Sequence, residues 1–120
     1  MSRTVRLVCV QGGAPVCERA HLARDLWARL VGLALHSTLP PGEGLWLAPC
    51  NGVHTAFMRF AIDVVALDRE LRVLTVHANV APWRLVHPRR GWHSALELPA
   101  GEASRVGIRA GQQLRAETVP

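Results

Sequence analysis

One carboxylate stands out because it lies within an apolar stretch. Residues 62–67 read Ile-Asp-Val-Val-Ala-Leu, and alternate side chains of a β-strand point to opposite faces. Both faces are apolar apart from Asp63, so a central strand covered on both sides is predicted. A buried carboxylate is costly without a partner or a raised pKa. The nearest candidate partners along the chain are Arg59 and His54.

A second carboxylate, Glu97, lies in another apolar stretch. Two carboxylates whose pKa values are separated by their surroundings can divide acid and base roles. A small hydrolase that uses Asp63 or Glu97, with His54 assisting, is therefore one hypothesis. A buried clamp between Arg59 and a carboxylate is the alternative, and it is somewhat favoured. Because Arg59 and Asp63 would lie about 13 Å apart in an extended strand, their contact needs a bend or Glu97 as an intermediary.

Cys50 and His54 have the spacing Cys-x-x-x-His. Zinc takes three or four protein ligands, and the remaining histidines are too scattered to complete a set, so no metal site is predicted. Cys50 as a nucleophile with His54 as its base is a further hypothesis, although a capped turn is favoured. No glycine cluster has the pattern of a phosphate-binding loop, and no cofactor is predicted.

Residues 81–93 contain two prolines, a glycine and two tryptophans. The prolines and the glycine argue against regular structure, and the tryptophans indicate that the segment lies against something. We therefore predict an irregular flap. Single-stranded nucleic acid or a sugar ring could stack on Trp83 and Trp92, with the three arginines of the segment binding phosphates. The favoured interpretation is that both tryptophans pin the flap while the arginines face water.

The composition is that of one globular domain over residues 1–120, with 49% hydrophobic and 19% charged residues and a net charge of +5. All 14 basic residues are arginine, and there is no lysine. Arginine binds phosphates and carboxylates with two donors at once, which supports nucleic-acid binding as a third hypothesis. Because the arginines are scattered along the chain, a bias of composition is favoured and nucleic acid is the less expected partner.

No apolar run in the sequence approaches the roughly 20 residues that a membrane-spanning helix needs. The apolar run near its first residues is too short for a signal peptide. Its three cysteines form no CxxC pair, which is typical of a reducing compartment. A cytoplasmic protein without membrane contact is expected.

The predicted elements give an α+β class. Strands are predicted at 5–10, 16–17, 45–48, 60–67, 71–80, 94–98 and 112–117, with a short turn or helix at 102–106. The main helix is predicted over about residues 18–31, since Leu22, Leu26, Leu30 and Leu33 form one stripe. Short connections favour a mostly antiparallel sheet, curled into a small, partly closed barrel with that helix packed against it.

Four motifs occur in order along residues 15–117. They are Arg29-x-x-Gly32-Leu33, Phe57-Met58-Arg59-x-x-Ile62-Asp63-Val64-Val65, Leu96-Glu97-Leu98-Pro99-Ala100-Gly101 and Gly107-Ile108-x-x-Gly111. In these motifs the chain resembles the domain of unknown function 192, a family of uncharacterised bacterial and archaeal proteins. Ala61 replaces the proline that the family usually has, and Glu70 replaces a turn glycine. The resemblance implies a fold and a set of important residues, but no activity.

We therefore expect a binding or accessory module rather than an enzyme. Its pocket is predicted near one end of the barrel, and it would hold a small polar or anionic ligand or a partner peptide. A monomer or weak dimer is expected. The residues predicted to line or roof the pocket are His54, Arg59, Asp63, Glu97, Trp83 and Trp92.

Overall fold

The computed structural model describes residues 3–23, 39–55 and 58–119. These ranges form nine strands and one short helix, labelled in chain order. They are β1 (Arg3–Cys9), β2 (Pro15–Ala23), β3 (Glu43–Leu47), β4 (Val53–His54), β5 (Ile62–Leu67), β6 (Val73–Val80), β7 (Leu85–Val86), β8 (Ser94–Pro99), α1 (Glu102–Val106) and β9 (Leu114–Thr118).

Seven strands form one sheet in the order β6-β5-β8-β3-β2-β1-β9. Every neighbouring pair is antiparallel except β2–β3, which is parallel. The connection between these two strands, residues 24–42, is long enough for a crossover. The strands β4 and β7 pair separately. The expectation of a largely antiparallel sheet in an α+β protein is confirmed.

The sheet curls until its two edge strands meet at one end. The Val73 N–H donates to the Gln112 carbonyl at 2.8 Å, and the Val73 carbonyl accepts from the Gly111 N–H at 2.8 Å. Next to them, the Leu114 N–H donates to the Leu71 carbonyl at 2.9 Å. These bonds join the start of β6 to the start of β9, so the barrel is partly closed, as predicted.

Two apolar clusters lie on the two faces of the sheet. The inner cluster fills the barrel and includes Leu7, Ala20, Val65, Leu67, Leu96, Leu98 and Leu114. The outer cluster joins the other face of β5 and β8 to segments that cover it, and includes Ile62, Val64, Ala66, Ala95, Val53, Met58, Val86 and Trp92. All six residues of β5 are buried, because both of its faces are covered, as the sequence pattern predicts.

The prediction of a helix from residue 18 was wrong over its first part. Residues 18–23 belong to β2, which pairs with β1 on one side and β3 on the other. Two complete strand pairings outweigh a helical pattern that begins only at Leu22 and has no capping residue before it. The rest of the predicted helix, with its motif Arg29-x-x-Gly32-Leu33, lies outside the described residues, as does Phe57.

The helix α1 fills the place predicted for a short turn or helix. It begins after Gly101 and ends at Gly107, which have φ values of 92° and 76°. Such left-handed conformations favour glycine. The helix packs against β2, β5, β6 and β8. Within the described ranges, no helix has the length and apolar character needed to cross a membrane.

Candidate functional site

The Asp63 carboxylate is fully buried and is bound by peptide N–H groups. Its Oδ1 accepts a hydrogen bond from the Asn79 N–H at 2.8 Å. Its Oδ2 accepts from the N–H groups of Gly101 at 3.0 Å and Ala103 at 2.9 Å. Asp63 therefore ties the start of β5 to the end of β6 and to the first turn of α1, and three charge-assisted hydrogen bonds offset the desolvation of its charge.

The predicted partner of Asp63 was a charged side chain, and the structure provides backbone donors instead. Arg59 is exposed, so it lies outside the buried environment of the carboxylate. Asp63 does join separate parts of the chain, as a clamp would, but its partners are peptide N–H groups and not a guanidinium. The sequence could not identify these donors directly, because every residue except proline carries a peptide N–H.

Glu97 is also fully buried, but it lies on the other face of the sheet. Register partners in neighbouring strands point to the same face. Asp63 is the partner of Leu98, which belongs to the inner cluster, whereas Glu97 is the partner of Val64, which belongs to the outer cluster. The two carboxylates therefore point away from each other. A single cleft lined by both, as the sequence suggested, does not form.

His54 and Cys50 lie in the segment that precedes β5 and covers its outer face. His54 is half-buried in β4, opposite Leu85 of β7. The Cys50 thiol donates to the Gly52 carbonyl at 2.7 Å, which is the capped turn that the sequence favoured. His54 thus lies on the outer side of the sheet, away from the buried carboxylate of Asp63.

Thr55 holds residues 81–84 and was not identified from the sequence. It is fully buried. Its hydroxyl donates to the Ala81 carbonyl at 2.7 Å and accepts from the Arg84 N–H at 2.8 Å. Its backbone carbonyl accepts from the Trp83 N–H at 3.0 Å. A threonine two residues before the Phe57-Met58-Arg59 motif was the available signal, but its partner residues are remote in sequence.

The two tryptophans of the flap, defined as residues 81–93, have different environments. Trp92 is buried, its Nε1–H donates to the Ser94 carbonyl at 2.8 Å, and its ring stacks on His77 with centroids 6.2 Å apart. Trp83 is 64% exposed and has a φ of 63°. A left-handed conformation is strained for so bulky a residue. Trp92 therefore pins the flap as predicted, whereas Trp83 projects toward solvent.

A groove of about 430 Å³ separates the flap from β6. Its residues are Thr75, His77, Val80, Leu85, Val86, His87 and Arg89, and we call it the flap groove. Thr75 and His77 form its floor, and Thr75 Oγ1 lies 2.9 Å from His77 Nε2. Leu85, which is 58% exposed, gives one wall an apolar surface. The groove combines an apolar wall with hydrogen-bonding and basic side chains, as binding sites commonly do.

The segment that forms the flap groove carries basic but no acidic residues. Residues 71–93 include four arginines and three histidines but no aspartate or glutamate. Burial lowers the pKa of His77 below its ordinary value of 6.5, and the charge of Arg89 lowers it further. His77 is therefore neutral at pH 7, and Arg89 supplies the fixed positive charge of the groove.

A second depression, of about 400 Å³, lies beside the turn at Cys50. It is lined by Pro49, Cys50, Asn51, Arg69, Trp92 and His93. The Cys50 N–H donates to the His93 carbonyl, so part of this lining serves to join the segment before β5 to the start of β8. The flap groove offers more side chains suited to an anion, and we treat it as the candidate site.

The comparisons identify the family. The model of the domain of unknown function 192, described as an uncharacterized ACR, matches residues 8–116. The chain belongs to this family. The match begins somewhat earlier than the motifs recognised in the sequence. No curated protein matches the chain.

Two crystal structures share the fold of this domain of unknown function 192 protein. One is of a Sinorhizobium meliloti 1021 protein proposed to be a transcription regulator. It has a TM-score of 0.80 and 23% sequence identity, over 97% of this chain and 94% of that chain. The other is a protein of unknown function from Novosphingobium aromaticivorans DSM 12444. It has a TM-score of 0.78 and 22% identity, over 95% of this chain and 84% of that chain. At these identities the likeness concerns the fold alone.

Proposed function

We propose that this protein is a binding module that holds an anionic group, such as a carboxylate, in the flap groove. The observation that carries the proposal is the lining of the groove, where the Arg89 guanidinium and the rings of His77 and His87 stand beside the apolar wall of Leu85 and Val86. A guanidinium binds a carboxylate with two donors. The nearby apolar surface would lower the local dielectric and strengthen that attraction.

The placement of the buried carboxylates favours binding over hydrolysis. Asp63 is saturated by three peptide N–H groups, and it lies on the opposite face from Glu97. A general base must reach the proton that it removes. The acid–base pair of the hydrolase hypothesis is thus not brought together, and the flap groove is lined by neither residue.

The test is a titration of the protein with a small dicarboxylate, succinate, followed by NMR. We expect saturable shifts of the His77, His87 and Arg89 resonances, with an upward shift of the His77 pKa because a bound anion stabilises the imidazolium. The variant Arg89→Gln should weaken binding by about tenfold or more, which corresponds to a loss of about 1.4 kcal/mol.

The matched control is Arg115→Gln, which removes an exposed arginine of β9 that is not part of the lining of the groove. This variant should bind succinate like the wild type. If succinate produces no saturable shifts in the groove, or if both variants weaken its binding equally, the proposal is wrong. A parallel titration with inorganic phosphate separates a carboxylate preference from a general preference for anions.

A cytoplasmic location in a bacterium or archaeon is part of the same proposal. Cys9 and Cys17 are buried with their thiols reduced, and reduced cysteines are typical of that compartment. Fractionation of cells that express the tagged full-length gene would test the location, and recovery outside the cytoplasm would contradict it.

A further inference from the structure

We infer that the anionic group belongs to an extended acidic segment of a partner protein, and that this segment adds as a further strand to the open edge of β6. The inference rests on the proposed function and specifies its partner. It starts from the position of β6, which is an edge strand of the seven-stranded sheet and at the same time forms the floor of the flap groove.

The hydrogen bonds of β5 show which of its peptide groups face β6. The Leu67 carbonyl accepts from the N–H of His93, the residue before β8, at 2.8 Å. The peptide groups of Leu67 therefore face β8. Successive residues of a strand direct their N–H and C=O groups to alternate sides, so Ala66 and Val64 face β6.

The register partners of those two residues in β6 are Thr75 and His77. These two residues therefore direct their N–H and C=O groups to β5, and Val76 and Ala78 direct theirs to the other side. Ala78 is exposed. In the part of the chain that the structure describes, the outward groups of Val76 and Ala78 form no hydrogen bond. They are a ready template for another strand.

The two edge strands of the sheet, β6 and β9, differ in how they are protected against pairing with a further strand. Edge strands commonly avoid further pairing through charged side chains or proline. The edge strand β9 carries Arg115 and Glu117, whose side chains form an ion pair at 2.8 Å. Residues 74–80 read Leu-Thr-Val-His-Ala-Asn-Val, without proline and without a charged residue. The edge of β6 therefore lacks charge and proline as protections. Register shifts in its pairing with β5 flank residues 75–77, and its start is already occupied, because Val73 bonds to residues 111 and 112.

Charge complementarity identifies the occupant. A strand added to β6 would place every second side chain on the outer face, beside Thr75 and His77 and so within the flap groove. Since the lining of the groove has no acidic residue and contains Arg89, glutamate or aspartate at these positions would be attracted. A second copy of this chain would instead bring another positive segment against residues 71–93, with their four arginines, and is disfavoured.

The test measures binding of a synthetic dodecapeptide of alternating valine and glutamate to the intact protein. Two control peptides are used: alternating valine and lysine, and the valine–glutamate peptide with N-methyl groups on alternate residues. The methyl groups remove the N–H donors along one edge of the peptide and leave its charge unchanged. We expect the valine–glutamate peptide to bind, the lysine peptide to bind at least about tenfold more weakly, and methylation to abolish binding.

The matched protein variants are Ala78→Pro and Arg89→Gln. Proline at 78 removes an outward N–H and leaves the bonds of Thr75 and His77 to β5, as proline on an edge strand does. We expect it to abolish peptide binding and leave succinate binding intact, whereas Arg89→Gln weakens both. Should Ala78→Pro fail to fold, the methylated peptide gives the same answer with the unaltered protein.

Each contrary result identifies its own cause. If succinate binds but the valine–glutamate peptide does not, or if the methylated peptide binds equally well, strand addition is wrong and the proposed function stands. If neither binds, both are wrong. Stronger binding of the lysine peptide or of single-stranded oligothymidine would overturn the acidic partner. A dimer of the protein alone that Ala78→Pro dissociates would assign the edge to a second copy instead.

Discussion

At the scale of single residues, Asp63 shows how a buried carboxylate is accommodated in this fold. Burial of a charge requires compensating partners. Asp63 obtains them from three peptide N–H groups in two parts of the chain, so its role follows from its contacts: it fixes the end of β6 and the start of α1. A residue of this kind can be indispensable for the fold without taking part in binding.

The first prediction concerns Asp63→Asn. Its amide keeps one acceptor oxygen, but the NH₂ group must face a peptide N–H. We expect a loss of about 2–4 kcal/mol in the free energy of unfolding, measured by urea denaturation. The control is Asp68→Asn, because Asp68 Oδ1 alone accepts the N–H groups of Glu70 and Arg72. It should cost less than about 1 kcal/mol. Equal effects of the two substitutions would contradict the clamp.

The second prediction concerns Thr55→Val, which keeps the shape of the side chain and removes its hydroxyl. The carbonyl of Ala81 and the N–H of Arg84 then lose a buried partner, which costs about 1–3 kcal/mol. We expect trypsin to cut after Arg84 and Arg89 several times faster, with the sites identified by mass spectrometry. Thr55→Ser should restore the wild-type rate. An unchanged cleavage rate in the flap would contradict the role of this hydroxyl.

At the scale of elements, β6 serves three purposes. Its N–H and C=O groups on one side complete the sheet with β5, its outer face forms the floor of the flap groove, and its start closes the barrel against β9. His77 lies where these purposes meet, since it stacks on Trp92 and lines the groove together with Arg89. Its titration therefore reports on the attachment of the flap.

The third prediction is a pH dependence. The pKa of His77 is lowered in the folded protein, chiefly by burial and then by Arg89, from its ordinary value of 6.5. The unfolded chain therefore takes up the proton first as the pH falls, so the stabilising contribution is complete above about 6.5 and is lost as the pH falls through the folded-state value. Wild-type melting temperatures should fall more between pH 7.5 and 5 than those of His77→Gln.

The variant Arg89→Gln supplies the second arm of that experiment. It removes the smaller of the two causes, so the His77 pKa, followed by NMR, should rise but remain below 6.5. An identical pH dependence in the wild type and His77→Gln would show that protonation of this ring is not linked to unfolding.

The elements could be predicted from sequence wherever the pattern was local. The apolar stretch that contains Asp63 predicted a strand covered on both faces, and all six residues of β5 are buried. The error at residues 18–23 arose because strand partners distant in sequence decided the conformation. Gly44 illustrates the same limit: a Cβ there would lie 2.9 Å from the Glu97 carbonyl oxygen, and only the β3–β8 register reveals this.

The candidate site was predictable in part for the same reason. The flap and the burial of Trp92 follow from the composition of residues 81–93, since aromatic rings require cover. The prediction that His54, Arg59, Asp63 and Glu97 line one pocket required Glu97, which lies on another strand, to point to the same face of the sheet as Asp63. The register shows that Asp63 and Glu97 do not, and no property of either residue alone distinguishes the two faces of a strand that is buried on both.

At the scale of the whole molecule, the central strands of the curled sheet are paired on both sides, whereas β6 is an edge strand. The fourth prediction is therefore a pattern of amide hydrogen exchange, measured by NMR. Amides of β5 and β8, which have strand neighbours on both sides, should exchange slowest, near the rate of global unfolding. The amides of Val76 and Ala78 should exchange orders of magnitude faster although they lie within a strand. Slow exchange at Ala78 would contradict an open β6 edge.

Val5 and Thr118 are register partners on the adjacent strands β1 and β9, so the polypeptide arrives at the barrel and departs from it at neighbouring points. A domain with this geometry can be inserted into an exposed loop of a host enzyme without distorting the host. The two ends of the interrupted loop need to be separated only by the distance between two paired strands. Such a graft would carry the domain as a side appendage of the host.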